Sequence, residues 1–178
     1  MDKQPVRLVI LDVDGTLVRT RTGNQNRSAG PNFSAEQDWE WIPGRLEALL
    51  AFRAENADVR FALATNQGGV GHGYHDEDRM REEIALVARA LGDDVMVNIA
   101  WGMTDAVIER YRHEDPLRKP APGMLLAAMS HFGIEAPDTV MIGDRPADMA
   151  AARAAGCRFI WDTIFFRDLQ APGPRELG

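Results

Sequence analysis

Five short apolar, β-rich runs, separated by stretches of helical periodicity, constrain this chain more than any other feature. They are Val6–Leu11, Val59–Ala64, Val95–Ala100, Thr139–Ile142 and Arg158–Trp161. Val6–Leu11 (VRLVIL) is almost wholly apolar, the pattern of a strand buried on both faces in a parallel sheet. Between the runs lie the helices. One opens near Pro43, with Leu46, Leu49 and Leu50 on one side. From Asp76 onward, Met80, Ile84, Val87, Ala88 and Leu91 fall at helical spacing. Thr104 reads as the cap of a short helix reaching Arg112. Pro122–Phe132, with Met124, Leu125, Ala128, Met129 and Phe132 inward, should stop at Gly133, and Ala147–Ala155 at Gly156. Arg19–Glu40 is polar and without periodicity, so it reads as a long loop. Gly68–Gly73 reads as irregular, and the tail after Arg167 as loose. Strands alternating with helices argue an α/β fold: a doubly wound, Rossmann-like parallel sheet of about five strands with right-handed crossovers. A chain of 178 residues suits one domain, 1–178, with a loop insertion at about 19–41.

In such sheets ligands bind at the carboxyl ends of the strands. The first run ends on Asp12-Val13-Asp14-Gly15-Thr16, the second on Thr65-Asn66-Gln67-Gly68-Gly69, and the fourth on Gly143-Asp144-Arg145-Pro146-Ala147-Asp148. Arg118-Lys119-Pro120 lies between the third and the fourth. In an extended segment Asp12 and Asp14 share one side. Carboxylates this close repel, which calls for a cation between them or for divided proton roles. A calcium loop does not fit, because Leu17 and Gly23 stand where it needs Gly and Glu. Asp12, Asp14 and Asp144 make an oxygen-only donor set, which favours Mg²⁺. Thr65 and the N–H groups of Asn66, Gln67, Gly68 and Gly69 suit a phosphate, and Lys119 adds a point charge. A bland reading exists for each residue alone: a turn aspartate, a helix cap, a solvated lysine. The joint pattern argues for a site.

Taken in order, DVDGT, a Thr ending a strand, a Lys-Pro pair and GDRPAD resemble the four motifs of the haloacid dehalogenase-like (HAD) phosphatases, over Leu8 to Trp161. That resemblance implies that Asp12 is a nucleophile taking the phosphoryl group as an aspartyl-phosphate. It implies that Asp14 is the general acid and later the base, while its backbone carbonyl joins Asp12 and Asp144 around Mg²⁺. Thr65 and Lys119 would hold the phosphate, and Asp148 would support Lys119 or sit in the metal set. Arg21 and Arg145 are read as cations within reach of substrate. The motif spacing leaves no room for a large cap domain. Thr65-Asn66-Gln67 followed by Gly71-His72-Gly73 resembles the subgroup with histidinol-phosphate and heptose bisphosphate phosphatases and polynucleotide 3′-phosphatases. The first two usually carry a zinc loop of three Cys and one His. Here only His113 in Tyr111–Arg118 could ligate, so no zinc is expected.

Two substrates stay open. One is a small phosphorylated metabolite. The other is a nucleic-acid 3′ end, met by Arg19, Arg21 and Arg27 with Trp39 and Trp41. A solvated basic loop with core tryptophans explains the same residues. The formal net charge of −7 weighs against a protein built to hold duplex nucleic acid. GGVGHG lacks the lysine of GxxxxGK(S/T), so no kinase site is present. A non-catalytic phosphate-binding module on the same fold would be expected to lack Asp12 or Asp14. The single cysteine, Cys157, excludes an internal disulfide. No run approaches the ~20 apolar residues of a membrane span. A cytoplasmic monomer is the expectation.

Overall fold

The computed structural model describes residues 5–21 and 39–170. Five strands form one parallel sheet: β1 (Leu8–Leu11), β4 (Arg60–Asn66), β5 (Met96–Ala100), β6 (Thr139–Gly143) and β7 (Arg158–Trp161), in the order β5-β4-β1-β6-β7. All four pairings are parallel. The central strand β1 is buried on both faces, as its apolar run demands. Val9 and Leu11 face one core with Phe61, Leu63, Val140 and Ile142. Leu8 and Ile10 face the other with Ala62, Ala64 and Met141.

Helices α1 (Arg45–Glu55), α3 (Glu77–Leu91) and α6 (Asp162–Gln170) contribute Leu49, Phe52, Ile84, Val87 and Phe165 to the first core. Helices α4 (Gly123–Phe132) and α5 (Pro146–Ala155) close the second with Met124, Leu125, Ala151 and Ala152. The Asp76 carboxylate caps α3 by accepting from the Arg79 N–H at 3.0 Å. The chain runs from β1 outward through β4 to β5, then returns to β6 on the other side of β1. The crevice at the carboxyl end of β1 is therefore the topological switch point.

Four expectations need correction. The ends of the expected long loop pair as an antiparallel ribbon, β2 (Val18–Thr20) with β3 (Trp39–Trp41). Three-residue strands are too short to register as a pattern; burial of Val18 and Trp39 holds them. Arg27 lies outside the described residues. Gly68–Gly71, expected to be irregular, forms one helical turn, α2. Thr104–Arg112 is turns plus a 3₁₀ turn at Glu109–Tyr111, not a helix. The amides there have other partners: Ile108 N–H donates to Gly71 O at 2.9 Å, and the Arg112 side chain donates to Ala106 O at 2.8 Å. Finally, α6 continues past Arg167 to Gln170, because Phe165, Phe166 and Leu169 share one buried face. No described element between β1 and α1 is larger than the two-stranded ribbon.

Candidate active site

Asp12 leaves β1 with its N–H donating to Ile142 O on β6 at 2.9 Å, which fixes its backbone at the strand end. Its carboxylate is buried and both oxygens accept hydrogen bonds. Lys119 Nζ donates to Oδ1 at 2.6 Å and Thr16 Oγ1 to Oδ2 at 3.2 Å. Lys119 is 4 % exposed; Nζ also donates to Ala64 O at 2.7 Å and pairs with Asp148 Oδ1 at 2.6 Å. Burial alone would pull this ammonium down, but Asp12 and Asp148 hold it above the ordinary lysine value.

The loop carrying Lys119 is clasped from β4. Asn66 Nδ2 donates to Lys119 O at 2.8 Å, and Lys119 N–H donates to Asn66 Oδ1 at 3.0 Å. Asp148, in the first turn of α5, accepts from Arg145 N–H at 2.9 Å through Oδ2, so its two oxygens join the helix cap to Lys119. Asp144 ends β6. The turn after β1 brings Gly15 against its carboxylate; Gly15 sits at φ 88, and a Cβ there would collide with Asp144 Oδ2.

One ligand atom each from Asp12, Asp144 and Asp148 lie within 4.8 Å of one another, the only such acidic, His or Cys group among the described residues. Burial, then the Asp12 charge, pushes the Asp144 carboxyl up to about 6 against the pull of Arg145. Burial and Asp12 likewise raise Asp148. Asp144 Oδ1 is buried without a hydrogen-bond partner. An orphaned oxygen beside two other carboxylates fits a hard divalent cation such as Mg²⁺. The Asp14 carboxylate lies outside this cluster, its Oδ2 accepting from Gln67 Nε2 at 2.6 Å; the ligand expected from Asp14 is its backbone carbonyl.

Asp12, Lys119 and Asp148 belong to an open cleft of about 370 Å³ that Asp14, Thr65 and Gly68 also line. Asn66, Gln67 and Arg145 line it too, but the amides of Asn66 and Gln67 are turned to protein partners. Arg21 is not among the lining residues; it is exposed at the ribbon end. Sequence reasoning missed Thr16 and the rim residues Tyr74, His75 and Arg118. Arg118 was legible as the neighbour of Lys119. It is half-buried, its Nη1 has no partner, and burial lowers its guanidinium against the opposing pull of Asp105 and Asp115. Trp39 packs in the core, and the exposed Arg19 pairs through Nη2 with Glu40 at 2.8 Å. His113 Nδ1 faces Glu114 O at 3.0 Å.

The HAD-hydrolase-like family model matches residues 116–162, from the Lys119 loop to the end of β7. A D-glycero-beta-D-manno-heptose-1,7-bisphosphate 7-phosphatase of Pseudomonas aeruginosa is 30% identical over 85% of this chain and 78% of its own length. The chain belongs to the HAD-like phosphatases. The alpha-anomer 7-phosphatase of Burkholderia mallei is 31% identical over 84% of this HAD phosphatase and 76% of its own length. The D,D-heptose 1,7-bisphosphate phosphatase of B. bronchiseptica, solved with magnesium and phosphate, superposes with a TM-score of 0.62. It is 26% identical and covers 86% of this chain and 79% of that one. The chain is thus a phosphoric monoester hydrolase of HAD type, with no large cap domain among the described residues. Among the described residues no helix is long and apolar enough to cross a membrane.

Proposed function

We propose that this HAD phosphatase hydrolyses a phosphorylated sugar carrying a second anionic group, with Asp12 as nucleophile. The observation that carries the reading is the single ammonium of Lys119 held between Asp12 and Asp148 beside Asp144 Oδ1, which is buried without a hydrogen bond. Three carboxylates against one ammonium leave an excess of negative charge that a phosphate could not approach alone. Asp12, Asp144 and Asp148 would hold Mg²⁺, which supplies charge neutralisation for the phosphoryl oxygens. Tyr111–Arg118 offers a single imidazole and no thiol, so zinc is not part of the proposal.

An Asp12 carboxylate oxygen attacks phosphorus in line, and the bond from phosphorus to the leaving oxygen breaks. Asp14 gives that oxygen a proton, leaving the free alcohol and an aspartyl-phosphate. Water then attacks phosphorus while Asp14 takes its proton. Inorganic phosphate departs and the Asp12 carboxylate is restored. The Thr65 hydroxyl donates to a phosphoryl oxygen, and Lys119, whose three N–H groups are engaged by Asp12, Ala64 O and Asp148, supplies positive charge beside it. Arg118, with Nη1 buried and unpartnered at the cleft, is the group that would take the second anion, and Arg145 adds charge at the rim. The names of the relatives, heptose bisphosphate phosphatases of both anomers, support this substrate class.

Arg118→Ala tests it. On a sugar bisphosphate, kcat/KM should fall about 10²-fold, and on the corresponding monophosphate only a few-fold. Equal losses would deny Arg118 the second anion. Turnover of a 3′-phosphorylated oligonucleotide above that of any sugar phosphate would replace the reading with the strand-end one. We further propose that residues 1–178 act as one domain in a cytoplasmic monomer. A dimer in size-exclusion chromatography would contradict the last point.

A further inference from the structure

Gln67 follows β4 directly and is 5% exposed. Its backbone N–H donates to Ala100 O, at the end of β5, at 2.8 Å, so the residue is pinned at the carboxyl edge of the sheet. Its side-chain Nε2 reaches two acceptors, Asp14 Oδ2 at 2.6 Å and Thr65 Oγ1 at 2.9 Å. A primary amide has two N–H groups, and both are engaged here. The end facing Asp14 is nitrogen, which donates to the carboxylate oxygen.

We infer that Gln67 is a positioning residue that orients the proton carrier and a phosphate-binding hydroxyl with one amide. The inference rests on the reading of Asp14 as acid and base and of Thr65 as a phosphate holder. On Asp14, the bond to Oδ2 fixes the direction of one carboxylate oxygen and with it the plane of the group that passes the proton. The bond serves both halves of the reaction, since the carbonyl oxygen of a protonated carboxyl group also accepts. On Thr65, an oxygen that accepts from Gln67 keeps its own O–H for donation. Thr65 lines the cleft, and a phosphate oxygen can only accept, so the hydroxyl is preset in the direction the substrate needs. Buried as it is, the amide needs no contact with substrate to do this.

The test compares leaving groups. The measure is kcat/KM, which covers the steps through phosphoryl transfer to Asp12. An alkyl phosphate needs a proton on its leaving oxygen; p-nitrophenyl phosphate releases a stable phenolate and does not. Gln67→Met keeps the chain length and removes both donors. It should lose about 10²-fold or more on the alkyl ester, in line with lost general acid catalysis. On p-nitrophenyl phosphate it should lose about tenfold, from Thr65 alone. Gln67→Leu removes the donors with an apolar chain of different shape, and it should repeat the split if packing is not the cause. Asp14→Asn, measured alongside, sets the full size of the split. Equal losses on the two esters for both Gln67 variants, with Asp14→Asn still separating them, would overturn the inference and leave the role of Asp14 standing. No split in Asp14→Asn would overturn that role and the inference with it.

Discussion

Lys119 brings one positive charge into a buried space where Asp12, Asp148 and Asp144 converge. Removing one partner of a buried ion pair strands the other and typically costs about 3–5 kcal/mol, so Lys119 serves stability and chemistry together. The carboxylates have a consequence that pH exposes. Burial and Asp12 raise Asp144 to about 6 and raise Asp148 as well. A carboxyl raised in the folded state binds protons there that the unfolded chain has already lost. Its stabilising proton is fully present below the unfolded value and is lost as pH rises through about 6. Without divalent cations the protein should therefore be more stable near pH 5 than near pH 8 as far as this cluster contributes. Lys119 titrates well above this window. Mg²⁺ needs the ionised carboxylates, so its stabilisation should run the other way. Thermal melts with and without Mg²⁺ should give the larger upward shift at about pH 8 and the smaller at about pH 5. A shift equal at both values would place the bound cation elsewhere.

At the scale of elements, the turn after β1 decides how closely the first and fourth strand ends approach. Gly15 N–H donates to Val18 O at 2.8 Å, closing the turn, and the Arg45 side chain donates to Thr16 O from the start of α1. Arg45 Nη1 is also paired with Asp162 at 2.7 Å, which ties α6 into the same support. Gly15→Ala would place a side chain at φ 88 and drive its Cβ into the Asp144 carboxylate. The backbone penalty alone is about 1–2 kcal/mol. Urea denaturation should show that loss, and titration with Mg²⁺ should show weaker binding, because the metal carboxylate is displaced. Unchanged Mg²⁺ affinity would mean that Asp144 is not a ligand. The long elements were legible because hydrophobic period and caps agreed: β1, α3 and α4 announce themselves in the sequence. The ribbon and the 103–113 turns were not, since backbone bonds there go to partners far along the chain, as from Ile108 N–H to Gly71 O at 2.9 Å. Asp12, Thr65 and Asp144 were legible because each ends or follows an apolar run, and Lys119 because it stands in a Lys-Pro pair. The Gln67 contacts were not, because a period reports which face a residue takes and says nothing of what its amide reaches.

For the whole molecule, the strand order β5-β4-β1-β6-β7 gathers three strand ends and one loop at a single crevice. On the proposed reading phosphoryl chemistry sits at the strand ends, and Arg118, His72 and Tyr74, which line the cleft, would set which leaving group is accepted. The net charge of −7 and the core position of Trp39 suit a small anionic substrate drawn to local arginines better than a nucleic-acid strand. Every part of this arrangement depends on Asp12 taking the phosphoryl group. The most direct test quenches the enzyme with borohydride during turnover with Mg²⁺ at saturating substrate, then maps the peptides by mass spectrometry. Borohydride reduces an acyl phosphate to an alcohol, so the account predicts homoserine at position 12, and none in Asp12→Asn, which should have lost activity on the order of 10⁴-fold or more. Homoserine at another carboxylate, with position 12 intact, would contradict it.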